Sequence, residues 1–298
     1  MTILCLGEAI ADLVCERELG PGEEPDLFVP HPGGALANVA VAAAREGAEA
    51  ALLGGVGADL WGDWLRGRLR RAGVGLDWLE RVEEHATPVA FVTFDRHGEP
   101  AFQVYGEGIE ATMLAGGRHL GSALGASEAL ILGSNTLVGK PERRLTMDAH
   151  HRALELGLPV LFDPNLRPNR WTDLDRAVQL CREACDSVFL VKTARREAEL
   201  LTGLTDPAAA AEALCGLGAR IAVVTTGAEG AVMRGAAEGQ TGAPEAAVVS
   251  ALGAGDAFMG ALAAGLSRLG WEEGRAPEAL EAAAAAGTGA CGGWGAWR

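Results

Sequence analysis

The sequence predicts an α/β protein in which a mostly parallel sheet is covered by helices on both faces, with a second, small β-sheet beside it. Two observations predict this. Short apolar segments of strand length alternate with segments of helical periodicity through most of the 298 residues. Residues 86–110 then break the rhythm with two β-rich stretches in succession. The composition agrees, since 49% hydrophobic and 22% charged residues suit a globular chain able to bury a large core.

Taken in order, residues 3–7 read as a strand, 35–47 as an alanine-rich helix and 50–56 as another strand. Over 59–72 the apolar residues Leu60, Trp61, Trp64, Leu65, Leu69 and Ala72 recur at helical spacing. Residues 129–133, 159–163, 187–191 and 221–225 are short buried-strand candidates separated by helices. Residues 88–95 and 100–105 form a β-hairpin around the turn 96–99 and, with 9–14, are expected to make the small sheet. Such a sheet is either a lid that excludes water from a substrate site or a plain hairpin at a sheet edge; periodicity leaves both open. Near the C-terminus a strand at 248–250 runs into a small-residue turn, a helix follows over 257–269, and a second alanine-rich helix covers 276–290. The tail Gly292-Gly293-Trp294-Gly295-Ala296-Trp297 fits no pattern. One domain spanning 1–298 is expected, with the lid drawn from segments near 9–30 and 86–110.

Several function classes are excluded. A formal net charge of −15 argues against nucleic acid, whose backbone is bound through Lys and Arg. No apolar run reaches the ~18 residues of a membrane span, and residues 1–8 lack the features of a signal peptide, so the expected location is the cytoplasm. The six cysteines form no CxxC pair and read as core thiols. Phosphate-binding glycine motifs fail as well. Gly7-Glu8-Ala9-Ile10 is not a dinucleotide fingerprint, Leu60 stands where a third glycine would follow Gly55-Val56-Gly57, and Gly139-Lys140 is followed by Pro141.

Two stretches carry chemistry. In Gly253-Ala254-Gly255-Asp256, small residues at a helix N-terminus allow backbone N–H groups to approach an anion, with Asp256 in the first turn. An aspartate there commonly serves as a helix cap, but a cap does not require Gly-Ala-Gly before it. Amide donors and a carboxylate together suit phosphoryl transfer to a hydroxyl. In Pro32-Gly33-Gly34-Ala35-Leu36-Ala37-Asn38, paired glycines precede a helix that carries Asn38, a side chain able to bind adjacent hydroxyls. On its own this stretch is equally a turn before a core helix.

The two stretches together, in this order and separation, resemble the signatures of the ribokinase-like (pfkB) carbohydrate kinases, and the resemblance runs from Gly7 to the last helix. It implies a three-layer α/β/α sandwich with a β-lid, ATP and Mg2+ as phosphoryl donor and metal, and a sugar as acceptor. By position, it implies that Asp256 is the base and that Gly253, Ala254 and Gly255 form the anion hole. It assigns Asp12, Gly33, Gly34, Asn38, Tyr105 and Arg167 to the sugar. Lys192, Thr226, Gly227 and Gly230 fall to the nucleotide, and Asn165 and Glu197 to the metal through water. Residues 162–168, Phe-Asp-Pro-Asn-Leu-Arg-Pro, look most like fructokinases and 2-keto-3-deoxygluconate kinases. The chain also departs from the pattern. Ser250-Ala251-Leu252 replaces the usual Asp-Thr-Thr or Asp-Thr-Val, removing a carboxylate of the monovalent-cation site and arguing against potassium activation. Ala194 replaces a frequent Asn of the phosphate segment, and Gly106 follows Tyr105 where the ketodeoxygluconate kinases carry Arg.

The expectation is therefore an ATP-dependent sugar kinase acting on a primary hydroxyl, best fructose or a similar hexose. The rivals are ketodeoxygluconate kinase, ribokinase and nucleoside kinase, or a catalytically weak sensor on the same fold. A homodimer paired through lids is the expected assembly.

Overall fold

The structure, a computed structural model, describes residues 1–95, 100–105 and 108–297. The hairpin turn 96–99 and Gly106 lie outside the described residues, as does the side chain of Tyr105, whose backbone alone is described.

The strands of the large sheet are β1 (Thr2–Leu6), β4 (Ala50–Gly57), β5 (Leu79–Val82), β8 (Ser127–Gly133), β9 (Val160–Asp163), β10 (Leu190–Ala194), β11 (Ile221–Thr225), β12 (Ala231–Gly235) and β13 (Gly239–Thr241). Their spatial order is β13-β12-β11-β10-β9-β8-β1-β4-β5. All neighbours are parallel except β12, which runs antiparallel to both β11 and β13. Both faces are buried, as the apolar runs of a parallel sheet require. Along β1, Ile3 and Cys5 enter one core and Leu4 and Leu6 the other. Against the first face pack α1 (Ala35–Arg45), α2 (Leu60–Arg71), α9 (Ala254–Arg268) and α10 (Leu280–Ala290); α3 (Gly108–Gly117), α4 (Leu120–Gly125), α5 (Lys140–Glu155), α6 (Leu174–Ala184), α7 (Arg195–Thr202) and α8 (Pro207–Cys215) cover the second. This is the predicted architecture of helices on both faces of a mostly parallel sheet.

The small sheet has the order β3-β2-β6-β7, from β2 (Ile10–Glu18), β3 (Val29–Gly33), β6 (Val89–Phe94) and β7 (Pro100–Tyr105). It is separate from the large sheet and begins three residues after β1 ends. The expected hairpin is β6–β7, with Val89 opposite Tyr105. β3 is an addition to the prediction. Pro30 and Pro32 disguise it as a loop, yet it is an edge strand paired only with β2, where missing N–H groups are tolerated.

Other expectations shift. Residues 248–250 form no strand; the Val249 and Ser250 N–H groups instead donate to the Cys291 carbonyl, leaving Val248 exposed. The helix expected from 257 starts at Ala254, because Gly253 is left-handed (φ 79°) and turns the chain into the helix at once. The strand expected at 187–191 begins at Leu190, since Ser187 has φ 60° and ends the preceding turn. Leu60 starts α2 but faces solvent rather than the core. All six cysteines are free thiols. No helix among the described residues is long and apolar enough to cross a membrane.

Candidate active site

The Gly-Ala-Gly-Asp turn sits where the helix dipole, a buried carboxylate and two cavities meet. The Ala254 N–H donates back to the Ala251 carbonyl, while those of Gly255 and Asp256, in the first turn of α9, have no intrahelical acceptor. The positive end of the helix thus offers amide donors to an anion. Asp256 is 5% exposed, and both of its oxygens accept amide hydrogen bonds, from Asn38 Nδ2 at 2.8 Å and Asn165 Nδ2 at 2.7 Å. Burial pushes its pKa up to about 6 against the lowering effect of the Asn38 bond; Asp163 raises it further, and Arg167 and Lys192 oppose. Asn165, assigned to a metal by position, is placed with its amide nitrogen on Asp256, and its left-handed backbone (φ 41°) turns it there.

Asp256 opens onto a cavity that Asp12, Gly34, Asn38 and Arg167 also line. Asp12 projects from β2 beside β3, and its carboxylate fills the space a Cβ on Gly33 would take, 2.0 Å from Oδ2. Gly34 has φ 99°, and a Cβ there would lie 2.2 Å from the Glu8 carbonyl, so the strand-to-helix turn into α1 requires glycine. Burial lifts the Asp12 pKa to about 7; the Arg167 charge lowers it, and Asp256 and Glu8 raise it. Arg167 is held by stacking over Phe102 of β7, 5.0 Å from the ring centre. Five predicted residues, Asp12, Gly34, Asn38, Arg167 and Asp256, thus line one cavity, with Gly33 against the Asp12 carboxylate.

Lys192 is buried on β10 and pairs with Asp163 of β9 at 3.0 Å. Burial works against its charge, but Asp163 first, then Glu197 and Asp256, keep its pKa above the usual lysine value. Its Nζ lies 2.8 Å from where a Cβ on Gly255 would be, which sets the ammonium beside the α9 N-terminus. Glu197 accepts from the Leu166 and Ala194 N–H groups at 2.6 and 2.8 Å. Burial and the Asp163 charge raise its pKa.

On the other side of the turn, Ala254 and Gly255 line a cavity of about 810 Å³ together with Gly227 and Gly230. Its remaining wall is small and apolar, with Ala243, Pro244, Ala247, Val248, Ala284 and Gly287 among the lining residues. Thr226 stands one residue off that wall, donating its N–H and hydroxyl to the Gly230 carbonyl, while Thr225 lines the cavity. Ser250 is fully buried and donates to the Gly293 carbonyl at 3.1 Å.

Sequence reasoning missed several lining residues. Glu8, 1% exposed, lines the Asp256 cavity, accepts from Asn135 Nδ2 at 2.9 Å, and leaves Oε2 buried without a partner. Asn169 and Arg170 complete the wall. No local pattern marks them: Glu8 reads as the end of a strand, and Asn135 lies 127 positions away.

The comparisons with known proteins agree with this geometry. Residues 2–296 match the pfkB family carbohydrate kinases. A fructokinase of Vibrio alginolyticus is 32% identical over 88% of this chain and 83% of its own. The aminoimidazole riboside kinase of Salmonella typhimurium is 31% identical over 95% and 86%. The crystal structure of a fructokinase from Xylella fastidiosa with bound ATP superposes with a TM-score of 0.86 at 28% identity, covering 99% of this chain and 93% of that one. Two cavities divided by the N-terminus of α9, in a chain related to sugar kinases over nearly its whole length, lead to one assignment: the protein belongs to the pfkB family of carbohydrate kinases and is a sugar kinase.

Proposed function

We propose that the chain transfers the γ-phosphate of ATP to a primary hydroxyl of a hexose, fructose being the best candidate. The reading rests on Asp256, whose carboxylate borders one cavity while Ala254 and Gly255 of the same turn border the other. In it, the cavity of Asp12, Asn38 and Arg167 takes the sugar, and the larger one takes the nucleotide. Asp12 and Asn38 orient the acceptor, and Asp256 accepts the proton of the attacking hydroxyl. The Gly255 and Asp256 amides, with Lys192, stabilise the charge of the transferring group. Residues 1–298 act as one α/β domain, with the small sheet as a lid that excludes water.

The acidic pair Asp163 and Glu197 fits a hydrated divalent cation, because Asp163 Oδ1 is buried without a partner. Among the described residues no three His, Cys, Asp or Glu side chains form a metal cage, in keeping with an ion that retains water and binds chiefly to phosphates. Magnesium, held there through water and bound with the nucleotide, would neutralise phosphate charge. Potassium independence is supported by Ser250, which closes its loop onto Gly293 with its own hydrogen bond. The likeness to fructokinases favours fructose; the likeness to a riboside kinase makes a ribosyl acceptor the second reading. A homodimer paired through lids is tested by sedimentation.

The test is ADP release from magnesium-ATP across fructose, ribose, 2-keto-3-deoxygluconate, inositol and nucleosides, with and without potassium. Turnover on fructose without potassium supports the reading. Silence on every acceptor, with sugar binding intact, would transfer the chain to the sensors. Asp256→Asn is expected to abolish turnover while sparing sugar binding.

A further inference from the structure

The C-terminal tail, which no sequence pattern explains, reaches Asn38, a hydrogen-bond partner of the candidate base. The indole Nε1 of Trp297 donates to Asn38 Oδ1 at 2.8 Å, and Asn38 Nδ2 donates to Asp256 Oδ2 at 2.8 Å. We propose that Trp297 is a positioning residue that fixes the side-chain amide of Asn38 so that its nitrogen, not its oxygen, faces Asp256. The proposal rests on Asp256 being the base.

The physical warrant is the asymmetry of the groups. An amide can rotate end for end, and both ends have nearly the same shape. An indole N–H only donates, and an ionised carboxylate only accepts. Placed on opposite sides of one amide, they are compatible with a single orientation. Turning Asn38 over would set oxygen against carboxylate and N–H against N–H, and both bonds would be lost. The two bonds are buried, which makes leaving either unmade expensive.

The tail is held in place for this task. Ala296 packs so closely on Gly253 that a Cβ there would lie 2.5 Å from the Ala296 Cβ. The Gly293 carbonyl accepts from Ser250, and Trp294 rests on Phe94 of the small sheet with ring centres 5.0 Å apart. Arg45 of α1 and Arg68 of α2 lie over the Trp297 ring at 5.9 and 5.7 Å. The ring is thus fixed by packing and cations, and Trp297→Phe removes three buried ring atoms, the N–H nitrogen among them.

Trp297→Phe is the test, read by steady-state kinetics, melting temperature and the Asn38 side-chain amide resonances. The expected result is a kcat lowered by about threefold to thirtyfold, the range a positioning hydrogen bond commands. The KM for ATP should stay near its original value, the melting temperature should fall only by the few degrees that a small void costs, and the Asn38 amide protons should shift. A wild-type kcat with unchanged Asn38 resonances would overturn the proposal. So would a loss of kcat accompanied by an equal loss of ATP affinity and stability, which marks mere packing. In the unsubstituted protein the Trp297 indole proton should be protected from solvent exchange; exchange at the rate of a free indole overturns the proposal without any variant. Asp256→Asn separates the two ideas. If it keeps turnover, the base assignment fails; if it is inactive while Trp297→Phe is normal, only the role of the tail fails.

Discussion

A base must be ionised to accept a proton, and burial opposes ionisation. At Asp256, the base of the proposed function, the opposition is met first by the Asn38 amide and then by the charges of Arg167 and Lys192, while Asn165 donates to the other carboxylate oxygen. Its pKa of about 6 sets the expected acid limit of the reaction: turnover falls as pH drops through that value, because the protonated carboxyl cannot take the hydroxyl proton. Removing one donor with Asn165→Ala raises that pKa, so the acid limb of the kcat profile should move up by about one pH unit. An unmoved limb would detach Asn165 from the base. Asp12 gives a stability counterpart. Its folded pKa of about 7 lies above the ordinary carboxylate value of 3.8, so the native state holds a proton that the unfolded chain releases between them. That contribution favours folding at low pH and is lost as pH rises through 7. Asp12→Asn should therefore melt about 2 °C or more above wild type at pH 8, with the gap narrowed at pH 5 and closed only below the unfolded value of 3.8, while losing sugar affinity. Thermal melts at the two pH values check it.

At the scale of elements, the turn into α9 separates two kinds of glycine. Gly253 is left-handed at φ 79° and has Ala296 against it, so Gly253→Ala should destabilise the fold by about 1–3 kcal/mol in chemical denaturation and abolish turnover. Gly255 has no unusual φ, and the atom in its way is the end of Lys192. Gly255→Ala should fold normally yet lose about tenfold in kcat/KM for ATP, by displacing the ammonium from the phosphates. Equal destabilisation of both variants would refute the distinction. The turn was legible in the sequence because four adjacent residues carry it. So was the sheet, because buried parallel strands read as apolar runs between amphipathic helices. β3 was hidden by Pro30 and Pro32, and 248–250 reads as a strand although its N–H groups bond to Cys291 instead of a ladder. Glu8, Asn135 and Trp297 were illegible for a different reason. Each owes its place to a partner far along the chain, 259 positions away for Trp297 and Asn38, and no local pattern records that.

Across the whole molecule, the nine-stranded sheet is the frame, and the four-stranded sheet, the cover of the proposed function, follows directly on β1. Glu8 after β1, Asp163 at the end of β9 and Gly227 after β11 all lie at the carboxyl ends of parallel strands, on one edge of the large sheet, with Lys192 on β10 between Asp163 and Gly227. That concentration is the usual property of parallel sheets, whose binding crevices form at the carboxyl ends of the strands. The placement of Asp12 on the cover, not on the frame, has a consequence for the order of events. Under the proposed function, a sugar that grips Asp12 would pull on the cover itself, whereas a nucleotide in the larger cavity would find no carboxylate of the cover on its wall. Sugar is then the trigger and nucleotide the cargo, and an enzyme loaded with ATP alone should idle. Its ATP hydrolysis without sugar is expected at no more than about one part in a hundred of the full rate. A phosphate-release assay without acceptor measures this, and Asp12→Ala should leave the idling rate where it is while removing the acceleration that sugar brings.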